Sequence, residues 1–332
     1  MKVLITYNIV DESIGDDYLC HYGVMEAVES VSSALKELGY SFTILGIGDD
    51  ITREIKQLIH SDADVVFNLC ESIKGKSRLQ ACFAGALELL GIPYTGSDFE
   101  ATILAIDKRK TKALLKKNSI PTPVDWDSRS LIYGKTSLDD VDFPVIIKPA
   151  REGGSIGIYQ SSVVEERDKL GDILKDRIEM YGEQILIERF IAGREFYVGF
   201  LGDDPICPLP IAEIGFGALP KGYKNIMSYQ AKWDLDSIER RQFRRTCPAE
   251  IDNSLKEQLI RYARGAYEVV GLYGYGRIDL RVDLEGNVYV IDVNANPDIT
   301  IGQGFPLTAE IGGIPYPELI KVLIDCAIER RV

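Results

Sequence analysis

The first hundred residues alternate short apolar runs with amphipathic helical runs, and this alternation constrains the fold more than any other feature. Residues 2–7 read as a strand. Val24, Ala27, Val28, Val31, Ala34, Leu35 and Leu38 then recur at three- and four-residue spacing, which predicts a helix with one buried face. Gly39 ends that helix, and residues 41–47 form the next strand. Residues 64–69 supply a third strand, residues 79–90 a second apolar helix, and Gly91 its stop. Strand and helix in turn imply a parallel sheet with helices on its faces.

The chain has 332 residues, enough for two or three domains. A second region begins near Ala101. There DKRKTKALLKK predicts a helix, stopped by Pro121 and Pro123. A strand over residues 144–149, a Gly-rich turn, a further strand, a charged helix over 163–180 and a strand over 184–190 follow. The third region starts near Gly193, with strands at 196–202 and 206–211 and an irregular charged stretch at 222–245. A helix at 254–270 then precedes strands 276–282 and 287–293, joined by the turn DLEGN. The expected division is therefore 1–100, 101–192 and 193–332.

No run approaches the ~18 consecutive apolar residues of a membrane span. The opening MKVLITYNIVDE enters a strand without the charged and apolar regions of a signal peptide, so a cytoplasmic protein is expected. A net charge of −13 argues against nucleic-acid and membrane-surface partners, which select basic faces. Six cysteines form no CxxC pair and, with His21 and His60, no zinc spacing; they read as reduced thiols in the core.

Three stretches carry chemistry. In FPVIIKPAREGGSIGI a strand delivers Lys148 beside a loop containing Gly153, Gly154 and Gly157. Such glycines let backbone N–H groups approach a phosphate, while the lysine supplies a point charge. In GRIDLRVDLEGNVYVIDVNANPD, regular strands place Arg277, Asp279 and Arg281 on one face, and Val288, Val290 and Asp292 on one face of the partner. Asp279 and Asp292 then meet across the hairpin with Asn294 nearby, a hard oxygen set that suits magnesium. ILIERFIAGREF reads as a strand entering a connector that holds Glu188 and Glu195. Taken singly, each stretch has a plain reading as a surface hairpin, a solvated strand edge or a loop.

Taken in order, and together with VFNLCES, GIPYTGSD, AIDKRKTKALL and IPTP, these stretches resemble the D-alanine–D-alanine ligase branch of the ATP-grasp superfamily. The resemblance implies an ATP-grasp fold behind a Rossmann-like parallel-sheet domain, and an ATP-dependent ligase that joins a carboxylate to an amine through an acyl-phosphate. It implies that Lys108 and Lys148 hold ATP phosphates under a lid containing Gly153, Gly154 and Ser155. Glu188 and the backbone of Ile191 correspond to adenine contacts, and Glu195 to the ribose contact. Lys232 corresponds to a lysine near the γ-phosphate and Arg277 to an arginine at the reacting centre. Asp279, Asp292 and Asn294 match magnesium ligands, with manganese as a substitute. The resemblance also implies small amino-acid-like substrates and a homodimer.

The departures fall on the amino-acid site. YNIVDESIGDD replaces a Gly-rich stretch and its glutamate, with Asp11, Glu12, Asp16 and Asp17 as candidate substitutes. A serine and a tyrosine of the family fall at Gly154 and Trp233, and a histidine becomes Glu71. Lys74, Lys76 and Arg78 form a basic turn, and NPDITIGQGF replaces a Ser-containing carboxylate clamp. RRQFRR, residues 240–245, reads most simply as a charged surface segment, with anion binding as the alternative. A site that loses such polar partners changes substrate, so the expectation is a ligase with a substrate other than D-alanine. D-Alanine–D-alanine ligase proper and a nucleotide-binding regulator without turnover are the rivals.

Overall fold

The computed structural model describes residues 1–9, 23–48, 50–135, 137–203 and 205–330. Strands β1 (Lys2–Asn8), β2 (Ser41–Ile47) and β3 (Val65–Leu69) form a parallel sheet in the order β2–β1–β3. Helices α1 (Val24–Glu37), α2 (Ile51–Ile59) and α3 (Leu79–Leu89) alternate with them. Helix α1 buries Val24, Ala27, Val28, Val31, Ala34 and Leu35, the face its spacing predicts. Asp11, Glu12, Asp16 and Asp17 lie outside the described residues, as do Cys20 and His21.

Two helices follow where one was expected: α4 (Phe99–Ile106) and α5 (Lys108–Lys117). Asp107 separates them and accepts from the Lys110 N–H, so it caps the second helix. Strands β4 (Asp125–Asp127), β5 (Val145–Pro149), β6 (Val163–Val164) and β7 (Ile185–Arg189) form an antiparallel sheet in the order β4–β7–β5–β6. Helix α6 (Leu170–Tyr181) covers it through Leu170 and Leu174, which join Val145, Ile147, Ile185 and Ile187 in one core. The expected helix at 163–180 thus starts later, because its first residues pair as β6.

The largest sheet contains β8 (Arg194–Leu201), β9 (Cys207–Pro208), β10 (Ala212–Gly215) and, beyond the short helices α7 (Tyr229–Trp233) and α8 (Ile238–Gln242), β11 (Arg244–Thr246). Helix α9 (Asn253–Val270) leads into β12 (Tyr275–Val282) and β13 (Val288–Asn294). The order is β11–β10–β8–β12–β13, with β9 on β8. The strand expected at 206–211 shrinks to two residues, since Pro208 and Pro210 carry no N–H for a ladder. Helices α10 (Gly304–Ile311) and α11 (Tyr316–Glu329) end the described fold.

The hydrophobic cores do not follow chain order. Ala101, Ala105, Leu115 and Ile120 pack with Val198, Phe200, Leu259 and Leu280, so α4 and α5 lie against the largest sheet. Leu319, Ile320, Leu323 and Ile324 of α11 pack with Val3 and Ile5 of β1, Val31 of α1 and Phe67 of β3. Among the described cysteines only Cys70 and Cys326 are buried, while Cys82 and Cys207 are exposed, which corrects the expectation of core thiols. No described helix is long and apolar enough to cross a membrane.

One residue fixes how the two antiparallel sheets join. Gly193 sits between β7 and β8 at φ +135°, where a Cβ would lie 2.1 Å from the Val282 carbonyl oxygen. Gly193→Ala is expected to cost about 3 kcal/mol or more, from backbone strain and overpacking together. Denaturant titration checks this: an unchanged midpoint would mean that the junction can relax.

Candidate active site

One cleft is lined by the two antiparallel sheets and, from the N-terminal part, by Gly23, Val24 and Ala27 at the start of α1 and by Glu71, Ser77 and Gln80 after β3. It brings together Lys108, Lys148, Gly153, Gly154, Ser155, Glu188, Ile191, Glu195, Lys232, Arg277, Asp279, Asp292 and Asn294. These are all the site residues expected from the sequence. Glu188 and Glu195 do not lie in a surface connector: they sit on β7 and β8, at 1% and 4% exposure.

The β5–β7 register explains the first cluster. Glu188 pairs with Ile146, so Lys148 lies two residues along on the neighbouring strand. Its Nζ donates to Glu188 Oε1 at 2.5 Å. Lys112 donates to Glu188 Oε2 at 2.7 Å and to Thr122 Oγ1 at 2.8 Å. Burial would raise the Glu188 carboxyl, but the two ammonium groups outweigh it and hold the group at about 2. Lys112 was missed by the sequence reading. Its signal was present: Lys108 and Lys112 stand four apart on one face of α5. Lys108 Nζ donates to the Glu152 carbonyl at 2.6 Å and lies 3.8 Å from Asp292 Oδ1.

The glycine loop is bent by positive φ at Gly154, Ser155 and Gly157. A Cβ on Gly157 would meet the Pro149 ring at 2.5 Å, so this tight return requires glycine. Further side-chain bonds hold the loop. Ser77 Oγ donates to Glu152 Oε2 at 2.7 Å, Ser155 Oγ to the Met227 carbonyl at 2.9 Å, and Trp233 Nε1 to the Gly154 carbonyl at 2.7 Å. The two departures at positions 154 and 233 therefore meet each other. Lys232 Nζ lies 4.8 Å from the centroid of the Trp233 ring.

Strands β12 and β13 pair Asp279 with Asp292 and Arg277 with Asn294. The alternation expected on β13 fails, because the register shifts between Asp279 and Leu280 and leaves Ile291 as an extra residue. Val290 donates its N–H to the Pro121 carbonyl and points into the core, while Ile291 and Asp292 both line the cleft. Val288 and Val290 thus do not share the Asp292 face. Arg277 forks onto Asp279 through Nε and Nη2, at 2.7 and 2.9 Å. Burial tends to lower the Arg277 guanidinium, and the Asp279 carboxylate more than reverses this. Among the described residues there is no cluster of three acidic or imidazole groups. The donors are two carboxylates and one amide, all oxygen and all hard, which fits a magnesium ion. Asp279 is engaged by Arg277 and Asn294 Oδ1 accepts from the Asn296 N–H at 3.1 Å, so Asp292 presents the more open oxygens.

Glu195 is matched across the sheet by Arg281, with 3.8 Å between Oε2 and Nη1. Glu71 opens onto the cleft, where burial and then Asp298 raise its carboxyl to about 7. The basic turn behaves differently from its expectation. Lys74, Lys76 and Arg78 are exposed, and the turn presents Ser77, and the first turn of α3 Gln80, to the cleft instead. RRQFRR is also more than surface: Arg240 on α8 and Arg245 on β11 both line the cleft.

Comparison with known proteins adds to this geometry. The family model for the D-ala D-ala ligase C-terminus matches residues 124–325. An uncharacterized protein of Sinorhizobium fredii is 31% identical over 308 residues, covering 91% of this chain and 87% of its own. A D-alanine–D-alanine ligase of Carboxydothermus hydrogenoformans is 30% identical over 310 residues, covering 91% and 93%. The crystal structure of a D-alanine–D-alanine ligase from Bacillus anthracis complexed with ATP has a TM-score of 0.76 at 24% identity, covering 99% of this chain and 97% of that one. That likeness concerns the fold.

Proposed function

We propose, from the premise that the chain belongs to the D-alanine–D-alanine ligase family and is an ATP-dependent ligase forming carbon–nitrogen bonds, that its cleft joins two amino-acid-like substrates through an acyl-phosphate. The observation that carries this reading is the convergence of Lys108 and Lys148 with the Asp279–Asp292 pair in one cleft. In the first step a substrate carboxylate oxygen bonds to the γ-phosphorus of ATP and the bond to ADP breaks. Lys108, Lys148 and Lys232 offset the charge that gathers on the phosphoryl oxygens. In the second step the amine nitrogen attacks the acyl carbon, phosphate leaves, and the nitrogen sheds a proton.

Arg277, fixed in place by Asp279, faces the cleft as the donor for the oxyanion of that tetrahedral state. Asp279, Asp292 and Asn294 would hold magnesium, or manganese in its place, and the ion would neutralise phosphate charge. Glu188 and Glu195 are assigned to the adenosine, with the Ile191 backbone between them. Phosphate release from ATP, followed with single amino acids and with all pairs, tests the reading. Release that requires both a carboxylate and an amine is the expected result. Release with D-alanine alone would make the chain a D-alanine–D-alanine ligase proper, and no release with any pair would remove the ligase reading of the cleft.

A further inference from the structure

We infer that Arg245, with Arg240 beside it, binds a second acidic group on the amine-bearing substrate, so that this ligase selects an amino acid with an anionic side chain. The inference rests on the ligase reading above. Three cations of the cleft, Lys108, Lys148 and Lys232, are already assigned to phosphate. Arg277 is committed to Asp279, and Arg281 is matched by Glu195. Of the remaining cations that line the cleft, Arg189 is exposed, and Arg240 and Arg245 are the two partly buried ones.

Both guanidinium groups line the cleft and flank the ring of Phe243, at 5.4 and 5.7 Å from its centroid. Among the described residues neither forms an ion pair, and the buried Nε of Arg245 has no hydrogen-bond partner. Gly304, the first residue of α10, makes room for Arg245: a Cβ there would lie 3.4 Å from Nη2. Burial lowers the basicity of Arg245, and the positive charges of Arg277 and Arg240 lower it further, while Tyr197 and the Asp298 carboxylate act in the opposite sense. A partly buried cation with no anion in ion-pair contact is costly, and an arginine retained in that state inside a cleft is matched to an anion that arrives with the ligand. Its planar fork suits a carboxylate or a phosphate. Asp298 supplies negative charge in the same cleft, and Glu71, raised to about 7, is an acceptor that an ammonium group would favour in its ionised form. A substrate carrying an ammonium group and a second acid satisfies both sets.

The test uses the full chain with ATP and Mg²⁺ for phosphate release, and with ADP and Mg²⁺ for calorimetric binding. Aspartate is compared with asparagine, and glutamate with glutamine, as uncharged isosteres; phosphoserine distinguishes a phosphate from a carboxylate. The acidic member of each pair is expected to win by about 30-fold or more in kcat/KM and Kd. Arg245→Gln should abolish that preference, and Arg245→Lys should restore part of it. If Arg245→Gln fails to fold, Arg240→Gln is read for the same narrowing of preference. Equal use of asparagine and aspartate, or weakened ATP binding with unchanged amine preference, would overturn the inference. Phosphate release with neutral pairs only keeps the ligase and removes the anion site. Arg245-dependent binding of acidic amino acids without phosphate release keeps the anion site and removes the ligase reading.

Discussion

Lys148→Ala is expected to lower phosphate release by about 10²–10³-fold while the protein stays folded, and Asp292→Asn to do the same. The two variants differ in stability, and the difference is informative. Lys148 donates to a buried carboxylate, so its removal costs about 2–3 kcal/mol. The fold survives because Lys112 still holds the other oxygen of Glu188. Asp292 is 36% exposed, and asparagine keeps its shape, so stability should move by no more than about 0.5 kcal/mol. Turnover and denaturant midpoints measured on the same preparations decide the matter. Wild-type rates in both variants would remove these residues from the site.

Glu188→Gln has the larger effect on stability. It leaves Lys112 and Lys148 buried together without their counter-ion, at a cost of about 3–5 kcal/mol at neutral pH. The pH dependence carries a sign. The folded carboxyl is held at about 2, below its ordinary 4.5, so the folded state binds fewer protons than the unfolded chain in that interval. Its contribution is fully present above pH 4.5 and is lost as pH falls through about 2. Denaturant midpoints measured from pH 7 to pH 2 should show wild type losing its advantage over Glu188→Gln as acid is added. A constant gap between the two curves would mean that Glu188 is not the depressed group.

The parts of the site legible in the sequence are those set by short-range spacing. Asp279 and Asp292 were expected to meet because side chains alternate along strands and a short turn joins the two, and they do pair. The Gly-rich return after Lys148 was visible because positive φ favours glycine. The same alternation failed at Ile291, where Pro121 takes the N–H of Val290 from the other side. No spacing within the hairpin contains that information. Glu188 read as an acid in a loop because nothing near it in the chain shows that Lys112, 76 positions away, supplies its counter-charge. Arg245 read as surface charge for a like reason.

By itself, the sequence determined the local elements and their faces: the buried stripe of α1, the helix stops at Gly39 and Gly91, and the pairing of β12 with β13. Those follow from hydrogen bonds and side-chain repeats that close within a few residues. Only the tertiary structure decided that α11 completes the first core, that α4 and α5 pack on the largest sheet, and that the two antiparallel sheets turn their charged residues into one cleft. These outcomes depend on which apolar faces bury each other across long stretches of chain. That fit is a property of complementary surfaces in space, and no local periodicity encodes it.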